Sequence, residues 1–119
     1  MAEGFGHSQF PDDISAESAG IRPIGIDDRA IEVMEELDID LRDLNSTSIR
    51  DVSDLPDLLV AMSHAVERKL PDRFQDIETV TWSITDPYHA SGSREEQLER
   101  FRTVRDDIRA HVRHLINEI

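Results

Sequence analysis

The strongest constraint on the fold is a long amphipathic helix predicted at the C-terminal end of the chain. It begins at a capping box, Ser93-Arg94-Glu95-Glu96, in which the serine and the second glutamate each accept a hydrogen bond from the other's backbone amide. Apolar side chains then recur every three or four residues, which places them on one face of a helix. That face must pack against other elements, because such a helix is stabilised mainly by tertiary contacts. The apolar positions are Leu98, Phe101, Val104, Ile108, Val112, Leu115 and Ile119.

Three shorter segments are predicted to form strands. Residues 58–62, Leu-Leu-Val-Ala-Met, form a continuous apolar run that is typical of a strand buried on both faces of a parallel sheet. Residues 77–84 alternate loosely between apolar and polar side chains, and residues 14–19 can form a short strand. A loop that contains Pro23 is predicted over residues 20–25.

Helices are predicted around these strands. Residues 1–10 have the character of the end of a helix, and Asp27 is a suitable N-cap for a helix that reaches about Leu37. A short helix is predicted over residues 64–70, before a proline. The order helix, strand, helix, strand, helix, strand, helix is that of an α/β layered protein, and 119 residues suffice for one domain.

Charge and hydropathy restrict the partners. The formal net charge of -13 argues against nucleic acid, since phosphate binding needs clustered Lys and Arg. No apolar run approaches the ~20 residues that span a bilayer and no signal peptide is visible, so we expect a soluble, cytoplasmic protein without a membrane partner. Aspartate outnumbers glutamate and Lys69 is the only lysine, which suits a salt-rich cytoplasm. A high-GC genome that favours arginine codons explains the same composition equally well.

The absence of cysteine limits the chemistry of these 119 residues, because it excludes disulfides, zinc thiolates and thiol nucleophiles. Glycine-rich phosphate-binding patterns and the Gly-x-Ser-x-Gly elbow are also absent. Asp107, His111 and His114 lie close together on the last helix, but the sequence favours a solvated helix face over a metal site there. His64 follows an apolar strand, where ligands often bind, yet a histidine at a helix start is the simpler interpretation. We predict no metal and no cofactor.

Asp86 is a stronger candidate for a chemical role. It follows a predicted strand and precedes the last helix, in the triplet Asp86-Pro87-Tyr88. Pro87 restricts the backbone after the acid, and a carboxyl group held beside an anion can protonate a leaving oxygen. On this stretch alone, a turn-forming aspartate is the simpler interpretation.

Several stretches of the chain recur together in one known family, in the same order and at the same spacing. They are MAEGF at residues 1–5, AESAG at 16–20, DDRAIEVMEELDIDL at 27–41, DLLVAM at 57–62, W-x3-DP at 82–87 and GSREEQLERFRTVRDDI at 92–108. With them the chain resembles the low-molecular-weight protein tyrosine phosphatases, and most closely their thiol-dependent arsenate reductase branch. The resemblance covers essentially the whole chain and implies a flavodoxin-like, three-layer α/β fold with a parallel sheet.

The part of the family's site that carries the nucleophile is not among these residues. In the family, a Cys-x5-Arg loop lies between the first, central strand and the first helix, where it holds an oxyanion and lowers the thiol pKa. The resemblance places Met1 just after that loop. We therefore expect residues 1–119 to be an N-terminally incomplete domain that is inactive alone, with the strand and the loop encoded directly upstream of Met1.

The resemblance also implies two site residues. Asp86 matches the general acid of the family's Asp-Pro motif, and Ser18 matches a serine that supports the catalytic loop by hydrogen bonding. A further supporting position, a histidine in the phosphatases, falls near Asp43, where this chain departs from the family.

Local features divide between the two branches. Trp82 and the helix start at residues 92–97 favour the reductases, whereas Tyr88 after the proline is typical of the phosphatases. Thioredoxin-coupled reductases carry two further cysteines in the region that matches residues 62–70, and this chain has none there. Phosphatase chemistry, or reduction by an external small thiol, is compatible with that absence.

Two classes of function follow from these observations. One is an enzyme that acts on arsenate, phosphate or phosphotyrosine-like monoesters through an upstream cysteine. The alternative is a non-catalytic relative that binds an oxyanion or a protein. With the central strand missing, residues 14–19 would pair directly with residues 58–62, or a second copy of the chain would fill the gap through exposed strand edges.

Overall fold

The computed structural model describes residues 1–21 and 25–118. The chain divides into two compact units, the first made of Met1–Ser18, Gly25–Asn45 and Thr85–Ile119, the second of Ala19–Ile24 and Ser46–Ile84. The predicted loop at residues 20–25 falls partly outside the described residues, as does Ile119. The regular elements are α1 (Ala2–Gln9), α2 (Asp28–Glu35), β1 (Leu58–Ala61), α3 (His64–Arg68), β2 (Glu78–Thr81) and α4 (Arg94–Glu118), with short 3-10 helices at Ile49–Asp51 and Asp72–Phe74.

The first unit is built on α4, which begins at the predicted capping box. The amide of Glu96 donates to Ser93 Oγ at 3.2 Å, and the amide of Ser93 donates to Glu96 Oε1 at 3.3 Å. Helices α1 and α2 each pack against α4. The predicted apolar face is confirmed over the described residues, because all six of its members there are buried: Leu98, Phe101, Val104, Ile108, Val112 and Leu115.

A charged side chain is buried in α4 beside this apolar face. Arg105 is only 8% exposed, and its guanidinium donates to the Val33 carbonyl and to Glu36 Oε1, both at 2.8 Å. Burying the charge is tolerable because it is paired and hydrogen-bonded. Hydrogen bonding from Arg102 and then Arg105 holds the pKa of Glu36 below its ordinary value. This link between α2 and α4 was not foreseen from the sequence.

Helix α2 starts as predicted and ends two residues earlier than expected. Asp27 caps it by accepting a hydrogen bond from the Arg29 amide at 2.8 Å. At the other end the Ile39 amide bonds the Met34 carbonyl and the Asp38 amide bonds the Glu35 carbonyl, with Asp38 at a φ of 60°. These two bonds and the left-handed residue directly after Leu37 form a C-terminal cap that ends the helix.

Helix α1 also forms where it was predicted, and it packs closely on the segment that follows α2. A Cβ atom built on Gly4 would lie 2.7 Å from Leu41 Cδ2 and 3.1 Å from Ile39 Cγ2. Only glycine therefore allows this approach without displacement of its neighbours. Phe5, next to it, is fully buried.

The second unit contains a parallel pair of strands. β1 and β2 are aligned from Leu58 opposite Glu78 to Ala61 opposite Thr81. The predicted parallel pairing is confirmed, but burial of β1 on both faces is only partly found: Ala61 is buried, whereas the three residues before it are half-buried. Within the described residues the sheet has two strands, β1 and β2.

The predicted strand at residues 14–19 is wrong. The Ala16 carbonyl bonds the His7 ring at 2.8 Å, and the Ser18 amide donates to Glu3 Oε1 at 2.7 Å. These backbone groups are used by side chains of α1 and are not free for a sheet. The direct pairing of this segment with residues 58–62 is therefore also wrong, and the nearest approach to a strand is a single parallel bridge between Gly20 and Ser48.

Helix α3 is present but ends at Arg68, earlier than the predicted Leu70. Across the described parts of the chain, no helix is both long enough and apolar enough to cross a membrane.

Candidate functional site

Asp86 lies in the loop between β2 and α4, and its carboxyl group is fixed by its own loop. The Tyr88 amide donates to Asp86 Oδ1 at 2.9 Å, a turn in which the side chain replaces a backbone acceptor. Asp86 is exposed at the surface. The loop therefore presents a carboxyl group whose orientation is set locally.

Tyr88 gives this loop an exposed aromatic ring. The side chain is 44% exposed, and its ring meets that of His89 edge to face, with 4.9 Å between centroids and an angle of 83°. An exposed ring two residues from a carboxyl group offers an apolar contact for a ligand that the carboxyl group could protonate.

Arg29, in the first turn of α2, bonds the backbone of this loop. It donates to the Tyr88 carbonyl at 2.9 Å and to Gln97 Oε1 at 3.0 Å, and it is paired with Asp27 at 2.7 Å. The hydrogen bond from Arg29 holds the pKa of Asp27 below its ordinary value, and Asp27 in turn raises the pKa of Arg29. Together with Arg94, these residues line an open groove of about 550 Å³.

Ser18 lies in the segment after α1 and is bonded to the first turn of that helix. Its amide and its hydroxyl both donate to Glu3 Oε1 at 2.7 Å. The Glu3 side chain is only 13% exposed, and its other oxygen lies 3.6 Å from His7 Nε2. Ser18 thus fixes a carboxylate at the start of α1, beside an open groove of about 470 Å³.

Comparison with known proteins identifies the family. The model of the low molecular weight phosphotyrosine protein phosphatases matches residues 1–119. The chain belongs to this family.

Curated relatives of this low-molecular-weight phosphatase family member are arsenate reductases. That of Shouchella clausii is 32% identical over 114 residues, which cover 95% of this chain and 82% of that protein. That of Halalkalibacterium halodurans is 34% identical over 109 residues, which cover 91% of this chain and 78% of that protein. The resemblance seen in the sequence is confirmed by both.

The solved structures to which this chain is similar are also arsenate reductases. An arsenate reductase in the reduced state superposes with a TM-score of 0.80 at 30% identity, covering 99% of this chain and 86% of that one. An arsenate reductase in the phosphate binding state gives 0.80 at 31% identity with the same coverage. The predicted α/β fold with a parallel sheet is confirmed. The prediction of a missing first strand is supported in part, since the described residues form two strands.

The site residues implied by the family resemblance do not bond to one another. Ser18 is bonded to Glu3, whereas Asp86 is bonded to Tyr88. Asp43 lies in an exposed turn. No local pattern in the sequence pointed to Glu3 or Arg29, although both lie inside the stretches shared with the family, because each bonds a residue distant along the chain.

The histidines considered as ligands have local acidic neighbours in this phosphatase family member. His64 lies 3.6 Å from Glu67, His111 lies 3.3 Å from Asp107, and His114 lies 2.8 Å from Glu118. Each pair lies within a single helical turn. Among residues 1–21 and 25–118, no group of three or more such side chains is placed to hold a metal ion.

Proposed function

We propose that this chain carries the proton-donating part of a cysteine-dependent site that acts on arsenate or on phosphate monoesters. The observation that carries the proposal is the exposed Asp86 carboxyl group, which is oriented by the Tyr88 amide in the loop before α4. Its relatives are arsenate reductases, one of them solved in a phosphate binding state, which supports an oxyanion as the ligand. An aryl ester such as phosphotyrosine fits the exposed ring of Tyr88 equally well.

In this proposal Asp86 is the general acid. In its protonated form it gives a proton to the leaving oxygen as the bond to arsenic or phosphorus breaks. Pro87 limits the backbone directly after the acid, so the carboxyl group approaches the oxyanion from a fixed direction. Ser18 acts indirectly by fixing Glu3 at the N-terminal end of α1. In the family, the catalytic loop directly precedes this end of the helix.

The nucleophile must come from outside these residues. The 119 residues contain no cysteine, so they cannot form a covalent thiol intermediate. We place the missing thiol and the oxyanion-binding arginine in a Cys-x5-Arg loop encoded upstream of Met1. If the substrate is arsenate, the reductant is an external small thiol, because residues 62–70 contain no cysteine pair for an internal relay.

The DNA directly upstream of Met1 tests this proposal. We expect in-frame codons for an apolar strand followed by Cys-x5-Arg shortly before Met1. A stop codon or an unrelated sequence there would contradict the enzymatic proposal. The absence of cysteine would then favour the second candidate, a non-catalytic member of the family that binds an oxyanion or a protein. Sequencing the genomic region, with mapping of the transcript start, distinguishes the two.

We also propose that the 119-residue chain associates with copies of itself. Within the described residues β1 has a strand partner on one side, β2, and an unpaired edge of an apolar parallel strand favours pairing with another chain. Sedimentation at micromolar concentration is expected to show dimers or larger species. A monomer that unfolds cooperatively would contradict the proposed association.

Because the net charge is -13, added salt is expected to stabilise the folded chain by screening self-repulsion.

A further inference from the structure

We propose that Arg29 is a positioning residue that holds the loop of residues 86–92 in the conformation in which Asp86 can donate its proton. The inference rests on the proposed function only in naming Asp86 as the acid. We call the hydrogen bonds of Arg29 to Asp27, the Tyr88 carbonyl and Gln97 the clamp. The clamp can be tested without measuring turnover.

The Arg29 side chain is itself held in place. Its Nε and Nη2 atoms donate to the two carboxylate oxygens of Asp27, at 3.0 and 2.7 Å. Its guanidinium carbon lies 4.5 Å from the centre of the buried Phe101 ring. The side chain is 15% exposed. A planar guanidinium paired through two nitrogens and stacked on a ring has little freedom to move.

Arg29 contacts the loop directly at one backbone group. Nη2 donates to the Tyr88 carbonyl at 2.9 Å. The amide of the same residue donates to Asp86 Oδ1. The clamp therefore acts on Asp86 through a single intervening residue, and the orientation of the carboxyl group depends on where Tyr88 is held.

The C-terminal end of the loop is linked to the same arginine through Gln97. Gln97, in the first turn of α4, accepts from Arg29 Nη1 at 3.0 Å and donates to the Gly92 carbonyl at 3.0 Å. Gly92 has a φ of 96°, a conformation that suits glycine. One guanidinium thus fixes both ends of the loop, directly at Tyr88 and through Gln97 at Gly92.

A lysine could not replace this arrangement. An ammonium group has three donors on one nitrogen, whereas the observed bonds leave from three different nitrogens in a planar fork. Arg29→Lys keeps the charge beside Asp27 but cannot span Asp27, Gln97 and the Tyr88 carbonyl together. Arg29→Lys therefore tests the hydrogen-bond geometry of Arg29 separately from its charge.

The test compares Arg29→Ala and Arg29→Lys with the wild-type 119-residue chain, all labelled with ¹⁵N. The readouts are the exchange rate of the Tyr88 amide and the heteronuclear NOE of residues 86–92. Both variants are expected to raise Tyr88 exchange roughly tenfold or more and to lower the loop NOE, since each loses hydrogen bonds made by a charged donor. Guanidinium ion, added to Arg29→Ala at a non-denaturing concentration, is expected to restore part of the order. The amides of α4 report whether the fold is intact.

The control is Arg94→Ala, which removes an arginine lining the same groove. Arg94 donates to Glu32 at 2.7 Å. It is expected to leave the loop unchanged. Loop order that survives in both Arg29 variants, or that falls equally in Arg94→Ala, would overturn the proposal. Should Arg29→Ala not fold, Arg29→Lys decides alone. If the Arg29 variants lose loop order, the clamp is supported. If Asp86→Asn then leaves a complete enzyme fully active, the proposed function is rejected and the clamp is not.

Discussion

The 119-residue chain is expected to show no reduction of arsenate and no hydrolysis of an aryl phosphate above the rate of a buffer blank. The acid at Asp86 can donate a proton, but no cysteine is present to form the covalent intermediate. The measurement is a paired assay of arsenite release with an added thiol and of nitrophenol release from its phosphate ester. Turnover by this chain that is lost in Asp86→Asn would contradict the expectation and point to a different nucleophile.

A chimaera measures the size of the effect. Joining the strand and Cys-x5-Arg loop of an arsenate reductase relative to Met1 is expected to produce activity. In that protein, Asp86→Asn is expected to lower kcat by about 10²- to 10⁴-fold, the usual contribution of a positioned general acid. Asp76→Asn, an exposed aspartate of the second unit, is the matched control and should leave kcat unchanged. Equal kcat values for the two variants would remove Asp86 from the mechanism.

Phe101→Ala is expected to lower the free energy of unfolding by about 3–5 kcal/mol, the range for a large aromatic side chain removed from a core. Phe101 is 2% exposed and forms the surface on which Arg29 stacks. Such a loss is a large part of the roughly 5–15 kcal/mol by which a domain is stable. Urea denaturation followed by circular dichroism measures it.

Thr103→Ala is the control for Phe101→Ala because it lies two residues away on the exposed side of the same helix. It is expected to change the free energy of unfolding by no more than about 0.5 kcal/mol. A loss below about 1 kcal/mol for Phe101→Ala would show that Phe101 is not part of a packed core.

Helix positions were predictable from the sequence, whereas strand positions were less so. The capping box of α4 and the cap of α2 depend on groups two or three residues apart, and both formed as predicted. The strand predicted at residues 14–19 did not form. Its backbone groups met the side chains of Glu3 and His7, whose positions depend on how α1 packs.

The candidate site shows the same division. Asp86 and Ser18 were found by comparison with the family's motifs, and the turn that orients Asp86 is local to its own loop. Arg29 was missed, since its sequence context is an ordinary first turn of a helix. Arg105 was missed because a charged residue in α4 reads as part of the solvated face, yet it is buried and paired with Glu36.

Local sequence patterns and residue identity were enough to locate the starts of the helices, the buried face of α4, the family and the absence of a thiol from residues 1–119. These properties follow from side chains within a few residues of one another, or from residue identity alone. The contacts that hold the candidate residues in place became apparent only in the folded structure. Ser18 bonds a carboxylate 15 residues away, and Arg29 bonds a carbonyl 59 residues away. Such hydrogen bonds form only when packing has brought distant segments together, and no local pattern encodes that approach.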